Sequence, residues 1–472
     1  MVATTKTRRV RREVRRAAKG PAVAAQDLPG EAEVRRVAER IFKLSEADET
    51  EVSVEVVADA VTRFANNAIH QNMAEQSHVV SVRTVFDGRT ARATTNKTND
   101  ESLRRVVAAS SELARHQPKN PDLLPMPGQQ EYARVNRYVA ATAATTPEER
   151  AGAVKRVCER LAKHGQTAAG IFSTGAFESA MANSRGLFAS HRQTRAEFSI
   201  TVMDRAGSSG WAKANQPDVA AIHPVELAES ASWRALGTRE VRELPPGRYT
   251  VVLESAAVLD LVGSLFYDFA ATAVADQRSC LNERMGKKIF GENISLDDDV
   301  VHPLQSGAPF DGEGMPRKKV SLIEGGVPAN LVYSRASAKK AGVKPTGHGL
   351  ALPNEWGEAP MNLVWGGGEA SLQDMIASTD FGLLVTRTWY IREVDPYEKV
   401  MTGMTRDGTF WIDRGRIAGG VRNFRFNQSL LEMLSNVEML GPAVRAAGEE
   451  SFEMVVPAMK VRDFHFTEAT KF

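Results

Sequence analysis

The chain has 472 residues, 42% of them apolar, with 60 Lys/Arg against 58 Asp/Glu and only two cysteines. That length exceeds one compact core and implies two or three domains built without disulfide staples. No run approaches the ~18 apolar residues of a membrane span, so no membrane partner is expected. Two cysteines and no apolar N-terminal segment of signal type lead us to expect a reduced, cytoplasmic protein.

The net charge of +2 is unevenly spread, because residues 1 to 19 hold eight Lys/Arg against Glu13 alone, which leaves the remainder at −5. Residues 1–30 are therefore expected to form a basic, disordered tail. Its RRVRREVRR run suits nucleic acid through counterion release. A solvated tail is the simpler reading, and nucleic acid is the less favoured partner.

A first α+β domain is expected over 31–117. Val34, Val37, Ala38, Ile41 and Leu44 recur at helical spacing, and Val52, Val54 and Val56 alternate as a strand does. The alternation continues through Arg63–Asn72 and Ser77–Phe86 to a hairpin turn at Asp87-Gly88. Thr98 and Glu101 have capping-box spacing at the start of a second helix.

Pro118, Pro121, Pro125 and Pro127 mark a linker over 118–130. A central α+β domain is expected over 131–243. It opens on Thr146-Pro147-Glu148-Glu149, a helix start with N-cap, N1 proline and returning Glu, and Cys158 falls on the buried stripe of that helix. Hairpins are expected near Asn183–Gly186 and Asp204–Gly210, and a helix near 225–236. The similar order of the two units hints at a repeat that the residues do not align.

Leu244-Pro245-Pro246-Gly247 marks the next boundary, and short apolar runs between glycines over 244–472 suit a β-rich C-terminal domain. The predicted class is thus α+β: two helix-plus-antiparallel-sheet units followed by a β-rich domain. Within the last domain, Asp297, Asp298 and Asp299 read as a solvated turn, since three consecutive carboxylates cannot all face one ion. The nine histidines show no HxH or helical i, i+4 pair, and His302 and His348 have no local metal partner. GGGEA lacks the context of a phosphate loop, and neither GxSxG nor CxxC occurs.

The order of TRFANNAIHQN, RSCLNERMGKKIFGENISLDDD, SGAPFDGEG and YSRASAKKAGVKPTGHG resembles the TldD/PmbA peptidase family over about residues 31–465. The resemblance implies a protein that works in pairs. One subunit, of TldD type, carries zinc on a HExxxH helix with a later cysteine ligand; the other, of TldE (PmbA) type, does not. The corresponding helix is expected at Leu259–Leu281, after a strand at Tyr249–Glu254, and it contains no histidine. The family's His, Glu and His positions fall on Val262, Gly263 and Tyr267, and its cysteine on Arg406.

Three of these four cannot supply a ligand atom suited to zinc, and a phenol is a poor replacement for imidazole. The resemblance therefore implies the TldE-like branch: no catalytic residue, metal or cofactor in this chain, and zinc in a TldD-like partner of a heterodimer acting on unfolded peptides. The glycine-rich stretches, Thr346-Gly347-His348-Gly349 and Gly366-Gly367-Gly368, are candidate contacts for peptide or partner, against a purely structural role in turns. Two alternatives stand beside this reading: a regulatory protein that uses the Arg-rich tail on nucleic acid, and a self-sufficient peptidase with atypical metal ligands.

Overall fold

The computed structural model describes residues 28–470. The basic tail reading falls almost wholly outside these residues. The first helix, α1 (Gly30–Leu44), buries Val34, Val37, Ala38 and Ile41. It is followed by β1 (Glu49–Ala65), β2 (Ala68–Phe86), β3 (Arg89–Thr95) and α2 (Asp100–His116). After an irregular stretch come α3 (Ala140–Ala143), α4 (Pro147–Lys163), β4 (Thr167–Asn183), β5 (Phe188–Met203), β6 (Ser209–Gln216) and α5 (Pro224–Gly237).

Two local expectations are corrected here. The run Arg63–Asn72 is not one strand, because Asn66 and Asn67 adopt φ of 50° and 58° and make the two-residue turn between β1 and β2. Asparagine tolerates this left-handed backbone, as a type I′ hairpin requires. The cap of α2 is Asn99, whose side chain accepts from the Ser102 amide, in place of Thr98. The capping box of Thr146 and Glu149 on α4 is present as expected.

The two N-terminal units share a single six-stranded sheet in the order β3-β2-β1-β4-β5-β6. β1 and β4 pair antiparallel at its centre. Helix, three strands and helix recur in the same order on either side, which gives the repeat an approximate twofold axis between β1 and β4. Residue parity then assigns the faces. Even-numbered Val52, Val54, Ala176 and Ala180 pack with α1 and α2, and Phe172, Phe198 and Ile200 with α4 and α5. The odd-numbered face meets the C-terminal domain: Gln193 accepts from the Gly307 amide at 2.7 Å, and Lys213 donates to the Gly448 carbonyl at 3.0 Å.

The C-terminal region contributes β7 (Val241–Arg242), β8 (Gly247–Leu253), β9 (Leu296–Asp298), β10 (Val320–Glu324), β11 (Val327–Pro328) and β12 (Leu363–Trp365). Then come β13 (Phe381–Val385), β14 (Thr388–Asp395), β15 (Val400–Thr405), β16 (Thr409–Asp413), β17 (Arg416–Val421) and β18 (Phe424–Ser429). The last are β19 (Val437–Leu440), β20 (Val444–Ala446), β21 (Met454–Val456) and β22 (Met459–Ala469). A large sheet runs β14-β15-β18-β22-β8-β13-β16-β17-β7, and a smaller one β11-β10-β9-β12-β21-β20. Leu259, Leu261, Phe269, Leu322, Trp365 and Met454 are among the side chains of the core between them. The α+β class with a β-rich C-terminal part is the observed one.

Buried ions join the central and C-terminal regions. Arg387 pairs with Asp407 at 2.6 Å, and its guanidinium lies 4.5 Å from the Trp211 ring centroid on β6. Ser209 hydrogen-bonds the other Asp407 oxygen at 2.5 Å.

Candidate functional site

The helix expected over Leu259–Leu281 is interrupted. Strand β8 leads into α6 (Ser255–Val262), a 3-10 helix spans Gly263–Phe269, and one further turn covers Ala271–Ala275. Ala270 is extended at the break, and its backbone bridges to Val332. The positions matched to the zinc motif therefore straddle a change of helix type, with Val262 ending the α-helix and Gly263 and Tyr267 in the 3-10 segment.

Each position is committed elsewhere. Val262 is fully buried in the C-terminal core. Gly263 faces Ser451, and a Cβ added to it would lie 2.0 Å from the Ser451 Oγ. The Tyr267 hydroxyl donates to the Trp356 carbonyl at 3.0 Å, and burial raises its pKa. Arg406 stacks over Trp389 with its Cζ 4.0 Å from the ring centroid. Zinc requires converging imidazole, thiolate or carboxylate donors, and these four residues do not fit it. Among the described residues no group of three or more His, Cys, Asp or Glu has the arrangement to hold a metal ion.

The glycine-rich candidates are placed differently from one another. His348 is fully buried; its Nε2 lies 2.9 Å from Asp298 Oδ1, and its Nδ1 lies 2.9 Å from Thr346 Oγ1. Thr346 also accepts from the Tyr333 amide at 2.7 Å. Gly347 has φ +76°, and a Cβ there would meet the Pro316 carbonyl oxygen at 2.0 Å. Gly349 donates its amide to Asp311 at 2.7 Å. The ring of His348 and the glycines beside it thus close an internal knot and turn away from solvent.

Gly366, Gly367 and Gly368 are partly or fully exposed, with the Gly366 amide donating to Ser295 and the Gly368 amide to Gly441. The solvated turn expected at Asp297–Asp299 is corrected. Asp298 is fully buried and Asp299 nearly so, because β9 runs between β10 and β12. Burial pushes the Asp298 carboxyl up, but the hydrogen bond and charge of His348, with Arg317, bring it below its ordinary value.

Two cavities flank the 3-10 helix and share Ser264 and Phe266 as a wall. The first, about 360 Å³, is lined by Asp260, Gly263, Ile391, Met401, Glu449 and Glu450 among others. Burial pushes the Asp260 carboxyl up to about 6, against the amides of Glu450 and Glu449 and the charge of Arg387. Those amides donate to Asp260 at 3.0 and 3.3 Å and strap 448–452 across Gly263.

The second cavity, about 480 Å³, is lined by Tyr267, Asp268, Trp356, Met361, Glu393 and Lys399 among others. Lys399 is 7% exposed and lies 2.6 Å from both Asp268 and Glu393, which raise its pKa against the effect of burial. No sequence motif pointed to these groups, since Asp268 meets Glu393 and Lys399 from a segment more than a hundred residues earlier in the chain. Gly263 in the first cavity and Tyr267 in the second are positions the sequence singled out, and Asp260 and Asp268 lie beside them in the chain.

Three family patterns cover most of the chain: "PmbA/TldA metallopeptidase domain 1" matches residues 50–114, the central domain 141–239, and the C-terminal domain 246–468. The chain belongs to the TldD/PmbA family. It is 24% identical over 243 residues to Metalloprotease PmbA of Escherichia coli O157:H7, covering 50% of this chain and 51% of that one. It is 27% identical over 293 residues to a Metalloprotease TldD homolog of Buchnera aphidicola subsp. Acyrthosiphon pisum, covering 57% and 59%.

The chain thus matches little more than half the length of these curated relatives, one named for PmbA and the other for TldD. The crystal structure of TldE from Thermococcus kodakarensis shares the fold, with a TM-score of 0.84 at 19% identity over 92% of this chain and all of that one. Among the described residues no helix is long and apolar enough to cross a membrane.

Proposed function

We propose that this chain is the TldE-like, zinc-free subunit of a heterodimeric TldD/TldE-type metallopeptidase of the cytoplasm. A TldD-like partner supplies the zinc, the water activated on it and the carboxylate base. This subunit shapes the cavity around the partner's site, so that only unfolded peptide chains enter. The observation that carries the reading is the chemistry at Val262, Gly263, Tyr267 and Arg406. One is sealed in the core, one is backed by Ser451, one is bonded through its hydroxyl to Trp356, and one is a stacked guanidinium.

The reading is tested by co-purifying the chain with a TldD-like protein, then assaying cleavage of an unfolded peptide by each alone and by the pair. Activity confined to the pair, with zinc tracking the partner, is the expected result. Stoichiometric zinc in this chain alone, with chelator-sensitive cleavage, would instead establish a self-sufficient peptidase.

A further inference from the structure

The 3-10 helix Gly263–Phe269 separates two cavities of different chemistry. The first is lined by three carboxylates, Asp260, Glu449 and Glu450, and by no cationic side chain. Glu450 is tied to Arg392 at 3.2 Å, whereas Glu449 is exposed. The second is mainly apolar, with Trp356 56% exposed and Met361 39% exposed among its lining residues. Its charged lining is balanced in number, Asp268 and Glu393 against Lys399 and Arg278, and Lys399 is held between the two carboxylates.

Strand β14 borders both cavities. Ile391 enters the first and Glu393 the second. It is an edge strand: it pairs with β15 on one side and has no strand on the other among the described residues. Its outer surface exposes Tyr390 at 49% and Val394 at 60%, with Tyr397 just beyond at 51%. Proteins ordinarily blunt such edges with charge or cover them. Here the strand carries Arg392, Glu393 and Asp395 and shifts register at Trp389/Arg392 and Glu393/Asp395, and near its start the Glu450 carboxylate accepts from the Tyr390 amide at 2.8 Å.

We infer that these cavities and the β14 edge form a peptide-binding groove of this subunit's own, selective for an extended segment with a basic residue two positions from an aromatic or large aliphatic one. The basic side chain enters the carboxylate cavity and the apolar one the Trp356 cavity, while the peptide backbone lies along Arg392–Val394. Side chains two apart on a strand lie on one face about 6.6 Å from each other, a spacing suited to two cavities that share a wall. Strand addition supplies affinity without regard to sequence, and the alternate pockets supply the preference. The expectation that the ligand is a peptide rests on the proposed function; the groove, its charge and its edge do not.

The test uses the purified full-length chain without any partner, so its outcome is separate from that of the cleavage assay. Fluorescence anisotropy is followed with a labelled ten-residue peptide carrying Lys and Phe two apart in a Gly/Ser background. Replacing that Lys by Glu, or the Phe by Ser, is expected to weaken binding about tenfold or more. In the Glu449→Lys/Glu450→Lys double variant, which leaves Asp260 against two cations, the preference between the Lys and Glu peptides should invert, an exchange that a misfolded groove could not produce. Trp356→Ser should erase the Phe dependence and keep the Lys dependence.

Equal binding of the Lys and Glu peptides, or no saturation up to about 1 mM, overturns the proposal. So does binding seen only after removal of residues 1–27, because the chain's own Arg-rich segment would then be the occupant.

Discussion

Replacing Gly263 by alanine should destabilise the C-terminal region even though alanine is the better helix former. The residue has φ −56° and ψ −27°, a conformation alanine adopts freely, so propensity alone predicts a gain of up to about 1 kcal/mol. Packing predicts the reverse. The new Cβ would lie 2.0 Å from Ser451 Oγ and 2.6 Å from Ser451 Cβ. The hydroxyl can rotate away but the Cβ cannot, so segment 448–452 has to lift.

That segment is pinned by the two amides donating to Asp260, and Gly448 lies so close that a Cβ there would meet Asp260 Oδ1 at 2.0 Å. Overpacking of this kind costs about 1–3 kcal/mol, and contacts as short as 2.0 and 2.6 Å put this site in the upper half of that range, so the net loss should be about 1–2 kcal/mol after the propensity gain. Ser451→Gly removes the obstacle, and the double variant should recover most of the loss, giving a coupling of at least about 1 kcal/mol in a double-mutant cycle. Urea unfolding followed by tryptophan fluorescence gives the energies, and limited proteolysis at 447–452 reports the lifted strap. A Gly263→Ala variant as stable as the parent, or strict additivity with Ser451→Gly, would refute the reasoning.

Further outcomes follow from the buried charges. His348→Ala leaves Asp298 charged and sealed from water, and should cost about 3–5 kcal/mol in urea unfolding. The lowered Asp298 pKa adds stability that is present above the unfolded carboxyl value of ~3.9 and is lost as pH falls through the folded one, which acid titration of unfolding will read. Glu313 has the opposite sign: burial pushes its carboxyl up to about 7, so its contribution falls as pH rises from ~4.3 to that value, and Glu313→Gln should flatten the slope in that window. Arg387→Ala removes the Asp407 pair and the Trp211 contact and should let the C-terminal region unfold separately at lower urea. Cys158 and Cys280 are buried with raised thiol pKa values, so a thiol reagent should label neither in the native chain and both after unfolding.

Much of the fold was legible because local signals agreed with it. The stripe of α1, the Thr146 capping box and the Asp87-Gly88 turn each rest on a few adjacent residues. Asn66-Asn67 was missed because alternation on either side masked a turn with no glycine or proline. The helix expected to reach Leu281 was misjudged because an apolar run does not reveal a change from α to 3-10 geometry. Asp297–Asp299 read as solvated because the partner of Asp298, His348, lies fifty residues away and arrives only through the knot around Thr346 and Gly347. That Val262, Gly263, Tyr267 and Arg406 offer no imidazole, thiolate or carboxylate was readable from residue identity. The groove was not, since Asp260, Trp356, Glu393, Lys399 and Glu449 meet only in the folded chain.

The most direct test of the central claim is zinc content measured alongside peptide cleavage for this chain, for a TldD-like protein, and for the two co-purified. The account predicts less than about 0.1 zinc per chain here, in keeping with the lack of a converging donor set among the described residues, and cleavage by the pair alone. One zinc bound by this chain, with cleavage that a chelator abolishes in the partner's absence, would contradict it.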